Sequence, residues 1–534
     1  MDQKFADSLS SAAYYSRRIK QNIMSLNSDE LKAKFQPPVA ELIIELQKTS
    51  SVSALDELIE LTPGGLLEMM RIKGLGGKRI SVIWQQGKID TLKGLLNACK
   101  KNALSKIPGF GRKTESNIIK SIETYKATQT HFHYATLATT AERIVQVLQR
   151  ALDSKLISLC GPIRRCSLTL PGIDIIAALA AAQLSALVLK KFMIVKSRTT
   201  KQTKGITLDE IPVTIHHSTK SNFYKDLFLL TGNDAHVKAI LKMIPSKGKL
   251  RSEEKIYQQA GMPFIVPEMR EDVAEWEFAS DSEHLIKLED IKGVVHNHTT
   301  YSDGVDTLDE FTSSCKRKGF EYAIICDHSK NAHYAGGLRE DKVLRQFNEI
   351  DHLNKKLTPF KIFKSIECDI RVDGNLDYED YFLKKFDCVV VSIHQMLKMD
   401  EQKATSRLIK AIENPYTTIV GHMTGRLLLI RPGYPVNYRK VIDACAANGV
   451  IIEVNANPYR LDMDWTQIPY ALRKRVRISI NPDAHSVGEI DNIRWGVAAA
   501  RKGGLTKDLT WNALPLHDII RYLKSKKDGN HTNT

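Results

Sequence analysis

A short stretch of the chain is dense in side chains that can ligate a metal ion. The stretch VVHNHTTYSDG, residues 294–304, places His296 and His298 directly after two valines, and Asp303 follows within five positions of His298. Imidazole nitrogens and carboxylate oxygens, without thiolates, suit Zn, Mn or Fe. A lone histidine is usually a packed or surface side chain, so this stretch predicts a metal site only if further ligands join it.

Further ligands follow at the ends of apolar runs throughout the last third of the chain. The seven runs are GVVHNH (293–298), YAIICDH (322–328), IFKSIECD (362–369), CVVVSIH (388–394), TTIVGH (417–422), GVIIEVN (449–455) and RISINPDAH (477–485). The ligating residues at or just beyond the ends of these runs are His296, His298, Asp303, His328, Glu367, His394, His422, Asp483 and His485. The runs recur roughly every thirty residues with helical sequence between them, which predicts strand–helix units closing into a parallel barrel.

The position of these ligands predicts one shared site. The carboxyl ends of the strands of a parallel barrel lie on one face, which is where active sites form. We therefore expect the side chains to converge there. They are too many for one four-coordinate ion, so we expect two or three divalent ions, Mn or Zn, with Fe as a further option. Such a cluster can activate water and hold the oxygens of a phosphoester.

Composition narrows the class of partner. The chain has 534 residues, enough for three or four domains, and its 77 Lys and Arg against 61 Asp and Glu give a formal net charge of +16. This excess favours a polyanionic partner, and the alternative is a merely basic surface. The eight cysteines include no CxxC pair. Their pattern fits a reducing, cytoplasmic environment and argues against a cysteine metal site.

No segment is predicted to enter a membrane. The N-terminal MDQKFADSLSS lacks the apolar core of a signal peptide. The most apolar run, residues 175–195, is interrupted by Gln183, Lys190 and Lys191. That run therefore indicates a buried helix followed by a strand rather than a membrane span.

Residues 1–130 are predicted to be helical and contain a short repeat. IKGLGGKRI (72–80) and IPGFGRKTESNII (107–119) share two glycines around an apolar residue, followed by basic residues. Such a turn, with the next helix N-terminus, can hold a phosphate on its backbone N–H groups. The pattern resembles the helix-hairpin-helix of sequence-independent DNA binders; an ordinary packing corner with a basic face is the alternative. The predicted DNA-binding residues are Gly74, Gly76, Lys78, Arg79, Gly109, Gly111, Arg112 and Lys113.

The last third also resembles a known domain family. HNHTTYSDG, CDHS, IECDI, SIH, GHMTGR, NANPYRLDM and PDAH match in order the motifs of the polymerase and histidinol phosphatase (PHP) domain. They are most similar to the version at the C-terminus of bacterial family X DNA polymerases. The resemblance implies a distorted seven-stranded α/β barrel over residues 288–525, with up to three metal ions. It also implies a Mn-favoured 3′–5′ exonuclease and 3′-end phosphodiesterase or phosphatase.

The resemblance further implies roles for individual residues. Glu367 would be a bridging carboxylate, with Asp483 a second catalytic carboxylate. The implied ligand groups are His296, His298 and Asp483 for one ion, His394 and His422 for a second, and Asp303, His328 and His485 for a third. Arg426 and Arg460 stand beside the strand ends and are candidates to hold substrate phosphate; ordinary salt bridges are the alternative.

Residues 131–285 resemble the α+β nucleotidyltransferase core of the same family in CGPIRRCSLTLPGIDII (160–176), LLTGNDAH (229–236) and EEKIYQQAGMPFIVPEMRE (253–271). The family pattern runs from Gly-Ser-x-Arg-Arg to Gly-Asp-x-Asp. The residues of that pattern present here are Gly161, Arg164, Arg165 and Asp174. Pro162 stands at the serine position and Gly172 at the first aspartate, and the third aspartate position falls at Thr214, or at Asp209 in another register.

Loss of these carboxylates changes what the middle region can do. Two-metal nucleotidyl transfer needs several carboxylates to neutralise and position both cations. One aspartate is insufficient, so we predict that the region is a polymerase remnant without a magnesium pair. Arg164 and Arg165 can still contact DNA or nucleotide, or serve only the structure.

These features define one leading function and several alternatives. The chain is predicted to bind gapped, nicked or 3′-ended DNA without sequence preference and to hydrolyse phosphoesters at 3′ ends in DNA repair. The alternatives are an active gap-filling polymerase with exonuclease, a small-molecule phosphatase and a DNA-binding scaffold with a structural metal. Residues 526–534 are predicted to form a flexible tail.

Overall fold

The computed structural model describes residues 3–16, 22–49, 51–72, 74–128, 130–179, 184, 186–244 and 251–527. The chain forms two compact units, Met1–Thr130 and His131–Thr534. The second unit contains both the middle region and the barrel. In the part of the chain that the structure describes, no helix is long and apolar enough to cross a membrane.

The first unit is helical. Its helices are α1 (Gln3–Ser16), α2 (Ser28–Lys34), α3 (Pro37–Thr49), α4 (Ser53–Leu61), α5 (Gly64–Met70), α6 (Gly77–Gln85), α7 (Leu92–Lys100) and α8 (Arg112–Thr128). Apolar residues of α5 to α8 form one small core that includes Met69, Ile83, Leu95 and Ile122, all fully buried. This core fixes the turns that precede α6 and α8, because each turn contributes a buried apolar residue to it, Leu75 and Phe110.

The middle region is a mixed sheet with helices on its faces. Its elements are β1 (Phe132–His133), α9 (Tyr134–Leu152), β2 (Ile157–Leu159), α10 (Gly161–Arg164), β3 (Thr169–Leu170), β4 (Ile173–Ala177), α11 (Ala186–Leu189), β5 (Ile194–Arg198), β6 (Gln202–Ile206), β7 (Pro212–His217), α12 (Phe223–Thr231), α13 (Asp234–Met243), α14 (Glu253–Gln259) and α15 (Glu275–Phe278). The five-stranded sheet has the order β2-β4-β7-β6-β5, and β4 pairs with β7 in parallel.

The apolar run 175–195 differs from its predicted helix-then-strand order. It begins inside β4, continues to the short helix α11, and ends at the start of β5; residues 180–183 and 185 lie outside the described residues. β4 is the reason for the difference. Ile175, Ile176 and Ala177 are all fully buried, so tertiary packing turns an alanine- and isoleucine-rich segment into a central strand.

The C-terminal region is a nearly closed parallel barrel. Its elements are β8 (Gly293–Asn297), α16 (Leu308–Arg317), β9 (Tyr322–Ile325), α17 (Glu340–Lys356), β10 (Lys361–Asp369), α18 (Asp380–Leu383), β11 (Cys388–Ser392), α19 (Glu401–Ile412), β12 (Ile419–Val420), α20 (Tyr438–Asn448), β13 (Ile451–Asn455), α21 (Ile468–Arg473), β14 (Ile478–Asn481), α22 (Ile493–Lys502) and α23 (Leu516–Lys527). The strands lie in chain order from β8 to β14, and a parallel bridge between Asn297 and Ala484 joins the two edges. The predicted seven-stranded barrel is confirmed.

Both faces of the barrel strands are buried. Alternate residues point outward to the helices or inward, as Val294 and Val295 do in β8. The inward residues form a core closed by Trp511 and by Ile519 of α23. Because this end of the barrel is filled with apolar side chains, polar residues at the strand ends gather at the other end.

The chain end is more ordered than predicted. Lys526 and Lys527, assigned above to a flexible tail, belong to α23, and the Lys526 ammonium donates to the carbonyl of Asn448 at 2.6 Å. This contact joins the end of α23 to the C-terminus of α20. Residues 528–534 of the predicted tail lie outside the described residues.

Candidate metal centre

A backbone irregularity aims the first ligand into the barrel. Val295 points inward, so strict alternation would turn His296 toward the helices. Instead β8 carries a register shift between Val295 and Asn297, and His296 has φ +61. A bulge of this kind redirects a side chain, and a left-handed backbone at a non-glycine residue is held only by surrounding structure. His296 is thereby fully buried in the centre.

Glu367, near the end of β10, is the centre around which histidines gather. Five imidazole nitrogens lie within 4 Å of its two carboxylate oxygens. These belong to His328 at 2.9 Å, His422 at 2.9 Å, His394 at 3.2 Å, His296 at 3.3 Å and His298 at 3.7 Å. The side chain of Glu367 is only 1% exposed, so this charge is held away from water.

Asp483 and Asp303 complete the centre on two sides. Asp483 Oδ1 lies 3.2 Å from His298 Nε2, and Asp303 Oδ1 lies 3.5 Å from His485 Nε2. The side chains of Asp303 and His485 are 20% and 33% exposed, whereas the remaining ligands are nearly or fully buried. The centre therefore opens to solvent on the Asp303–His485 side.

The structure brings all nine predicted ligands together, with groupings that overlap. Four sets have ligand atoms within 4.8 Å of one another: His298 with Asp303, His328 and His485; His296 with His422 and Asp483; His296 with His298 and Glu367; and His328 with Glu367 and His394. The grouping implied by the resemblance differs in detail. His298 joins the Asp303 set, and His422 joins His296 and Asp483 rather than His394.

Buried carboxylates behind the ligands orient the imidazoles. Glu453 accepts a hydrogen bond from His296 Nδ1 at 2.5 Å, and Asp369 accepts one from His394 Nδ1 at 2.5 Å. Each interaction leaves Nε2 of the ring facing Glu367. Carboxylates in this position fix the tautomer of a ligating histidine and raise its basicity.

The composition of the centre fits divalent cations. Buried nitrogens of His296, His298, His328 and His422 and one oxygen of Glu367 make no hydrogen bond to any part of the protein that the structure describes. Unpaired buried polar atoms are costly, and a cation would satisfy them together. Burial, reinforced by His485 and His328, lowers the pKa of His298 to about 4, so its ring is neutral and ready to ligate.

The charge state of Glu367 also suits a bridging ligand. Burial alone would raise the pKa of this carboxyl, but His394, His296 and His328 together hold the pKa well below its ordinary value. Glu367 is therefore ionised within a ring of imidazoles.

The two candidate arginines occupy different positions. Arg460 Nε lies 3.5 Å from Asp483 Oδ2, so its guanidinium is at the centre. Arg426 instead donates to the carbonyls of Arg460 and Leu461 and pairs with Asp464. Arg426 is thus engaged by the loop that carries Arg460 and positions that loop.

Several functional residues lie inside the predicted strands and were not singled out from the sequence. Glu453, Asp369, Asp327 and Asn455 are all fully or almost fully buried behind the ligands. Glu453 had a usable signal, because it is a charged residue in the otherwise apolar run GVIIEVN. A carboxylate in a strand buried on both faces requires a buried partner.

The nucleotidyltransferase-like site keeps one aspartate of the family pattern, Asp174. Asp174 of β4 lies directly opposite Thr214 of β7, whereas Asp209 precedes β7. Asp174 accepts from His216 at 3.1 Å. At Gly172, an added Cβ would lie 2.5 Å from the carbonyl oxygen of Pro212, so an aspartate does not fit there without a backbone shift.

The neighbouring basic residues have internal partners. Arg164, beside Gly161 in α10, pairs with Glu253 at 2.5 Å. Arg165 donates to the Thr231 carbonyl at 2.6 Å and pairs with Glu271 at 3.1 Å. Both arginines thereby tie α10 to other parts of the second unit.

Both predicted hairpins in the first unit have the expected turn. Gly74 and Gly109 have φ +88 and +90, a conformation that favours glycine. Gly76 and Gly111 directly precede α6 and α8. The four basic residues Lys78, Arg79, Arg112 and Lys113 are exposed in the first turns of these helices. The arrangement presents N–H groups and positive charge together at two points.

Comparisons with known proteins agree with this arrangement. Residues 66–124 match the family model described as a SAM-like helix-hairpin-helix tandem. The chain is 31% identical over 497 residues to the DNA polymerase/3′-5′ exonuclease PolX of Bacillus subtilis (strain 168), covering 88% of this chain and 87% of that protein. It is 28% identical over 243 residues to a probable phosphatase of Thermoanaerobacter sp. (strain X514), covering 43% of this chain and 94% of the relative.

Solved structures also align with the chain. A Leishmania infantum polymerase beta in a ternary P/T complex covers 39% of this chain and 98% of its own length, at 14% identity and a TM-score of 0.24.

Fold and site define the class of protein: a phosphoesterase barrel with a site suited to divalent metal ions, in one chain with a DNA-binding helix-hairpin-helix tandem. Within that class, the chain belongs to the PolX family of bacterial DNA polymerases and 3′–5′ exonucleases.

Proposed function

We propose that this protein removes nucleotides and terminal phosphates from the 3′ ends of gapped or nicked DNA. It would do so without sequence preference and with Mn or Zn in two or three positions of the barrel centre. The setting would be the cleaning of 3′ ends during DNA repair in the cytoplasm, a reducing compartment that suits the eight free cysteines. The observation that carries the proposal is the convergence of five imidazoles on the buried carboxylate of Glu367.

The reaction is a hydrolysis. The oxygen of water forms a bond to phosphorus, the bond from phosphorus to the 3′ oxygen of the preceding nucleotide breaks, and that oxygen takes a proton. A divalent ion held by the His, Asp and Glu side chains would polarise the phosphate and lower the pKa of water. Arg460, which is 21% exposed and lies beside Asp483, would donate hydrogen bonds to a phosphate oxygen. The exposed Asp303–His485 side is the entry for the 3′ end.

The first unit favours DNA over a small phosphoester. The probable phosphatases that are similar to this chain align with only 243 of its residues, which is about the length of the barrel. This chain adds a helix-hairpin-helix tandem with exposed basic residues, which would supply sequence-independent affinity for the DNA backbone.

The middle region is proposed not to polymerise. Asp174 is paired with His216, and its neighbouring positions carry Thr214 and Gly172. The close approach of the Pro212 carbonyl at Gly172 leaves no room for a carboxylate side chain at that position without a backbone shift. A two-cation site with one carboxylate lacks the charge needed for nucleotidyl transfer.

One assay tests hydrolysis and polymerisation together. Single-stranded and gapped DNA carrying a label near the 3′ end is incubated with Mn, with and without deoxynucleoside triphosphates. We expect stepwise shortening in both conditions and no extension. Histidinol phosphate serves as the small-molecule comparison, and a higher kcat/KM on it than on DNA would favour the small-molecule alternative. Extension of the primer would contradict the assignment of the middle region.

DNA binding should depend on the hairpin lysines. Replacing Lys78 and Lys113 with alanine removes one charge from each hairpin, both exposed at helix starts. We expect the slope of log Kd against log salt to fall by about 2, because about one counterion is released per phosphate contact. Fluorescence anisotropy with a gapped duplex at several salt concentrations measures this slope.

A matched variant separates local contact from net charge. Lys34→Ala with Lys48→Ala removes the same charge from exposed positions of the first unit outside residues 66–124. We expect its slope to equal that of the wild type. Equal slopes for all three proteins would show that the hairpins do not contact phosphates.

A further inference from the structure

A loop beside the centre carries an exposed aromatic residue on an anchored backbone. The loop, residues 329–338, follows the ligand His328 and contains a short helix, His333–Ala335. Tyr334 in this helix is 61% exposed. Its ring centroid lies 6.3 Å from that of His328, so the ring stands next to the ligands.

The backbone around Tyr334 is fixed from several directions. Asn331 donates from its backbone N–H to Asp377 at 2.7 Å and from its side chain to Asp369 at 3.0 Å. Ala332 and Ala335, on either side of the exposed pair His333 and Tyr334, are buried. The loop therefore presents its aromatic ring to solvent at a set position rather than on a mobile tip.

The ligand next to this ring, His328, lies beside the open side of the centre. His328 is within 3.6 Å of Asp303, which belongs to the exposed edge of the centre.

We propose that Tyr334 is a stacking platform for the 3′-terminal nucleobase. This inference rests on the proposed function. A base is the part of the substrate that matches an exposed aromatic face, since every nucleobase has a π surface and stacking tolerates any sequence.

A thermodynamic cycle tests this platform in the full-length protein with Mn. Its two changes are Tyr334→Ala in the protein and removal of the terminal base in the substrate. Single-stranded oligonucleotides ending in a normal or an abasic 3′ nucleotide are compared by kcat/KM for release of that nucleotide. We expect each single change to reduce kcat/KM about tenfold and the double change to add little to either, because both remove one stacking contact.

Two further variants define the contact. Tyr334→Phe keeps the ring and should stay within about twofold of the wild type on the normal end, which separates stacking from hydrogen bonding by the hydroxyl. Tyr381→Ala removes another exposed tyrosine, 70% exposed, from α18. This helix leads into the start of β11, at the other end of the strands, so the substitution should have no effect.

Each outcome decides between explanations. The stacking platform would be overturned if the losses in kcat/KM from Tyr334→Ala and from base removal multiplied in the double change. It would also be overturned if Tyr334→Phe lost as much activity as Tyr334→Ala. Either result would leave the proposed function standing. A wild-type protein that releases no nucleotide from any 3′ end would overturn the proposed function, and the platform with it.

Discussion

Replacing Glu367 with glutamine is expected to abolish hydrolysis, with a fall in rate of about a thousandfold or more. The carboxylate is buried within 4 Å of five imidazole nitrogens, and both of its oxygens face ligands. Glutamine keeps the shape but removes the negative charge that cations at these positions require. Nucleotide release from a labelled 3′ end and bound metal per protein, measured by elemental analysis, should fall together.

DNA binding distinguishes loss of the centre from loss of the fold. The hairpins belong to the first unit, so Glu367→Gln should bind gapped DNA with unchanged affinity. Glu413→Gln, which removes a charge from an exposed position of the barrel, should keep full hydrolysis. Glu367→Gln protein that retained both metal and activity would refute the assignment of this residue as the shared carboxylate.

The barrel could be predicted because its signal repeats. Each strand is buried on both faces, so each appears as a continuous apolar run, and the ligands follow at the ends of these runs. The topology then places the ligands together, since parallel strands in chain order bring all their carboxyl ends to one face. The convergence of the ligating side chains could therefore be predicted without knowing any individual contact.

The details that were not predicted depend on three-dimensional distances. The bulge at His296 has no marker in GVVHNH, yet it decides where the imidazole points. The groupings of ligands likewise follow from side-chain placement rather than order along the chain. In the middle region, the position of Thr214 could be predicted by counting, but the internal pairing of Arg164 and Arg165 could not.

Glu453 is a buried carboxylate behind the ligands that holds several residues of the centre in place. Its two oxygens each accept two hydrogen bonds. One receives the backbone N–H of His422 and the side chain of Asn455, and the other receives His296 Nδ1 and the side chain of Asn481. Burial alone would raise the pKa of Glu453, but His296 lowers it below the ordinary value, so the group is an ionised acceptor.

Replacing Glu453 with glutamine should therefore weaken metal binding by about 10- to 100-fold. Whichever way the amide is turned, its NH₂ group meets two donors. In one orientation that NH₂ group replaces the oxygen that accepts from His296 Nδ1 and directs Nε2 toward Glu367, and in the other it faces the N–H of His422. Hydrolysis measured as a function of Mn concentration should shift to higher Mn and recover most of its maximum. A positioning role predicts this rescue by metal, whereas a purely structural role predicts a lower melting temperature and a loss of activity that added Mn does not restore.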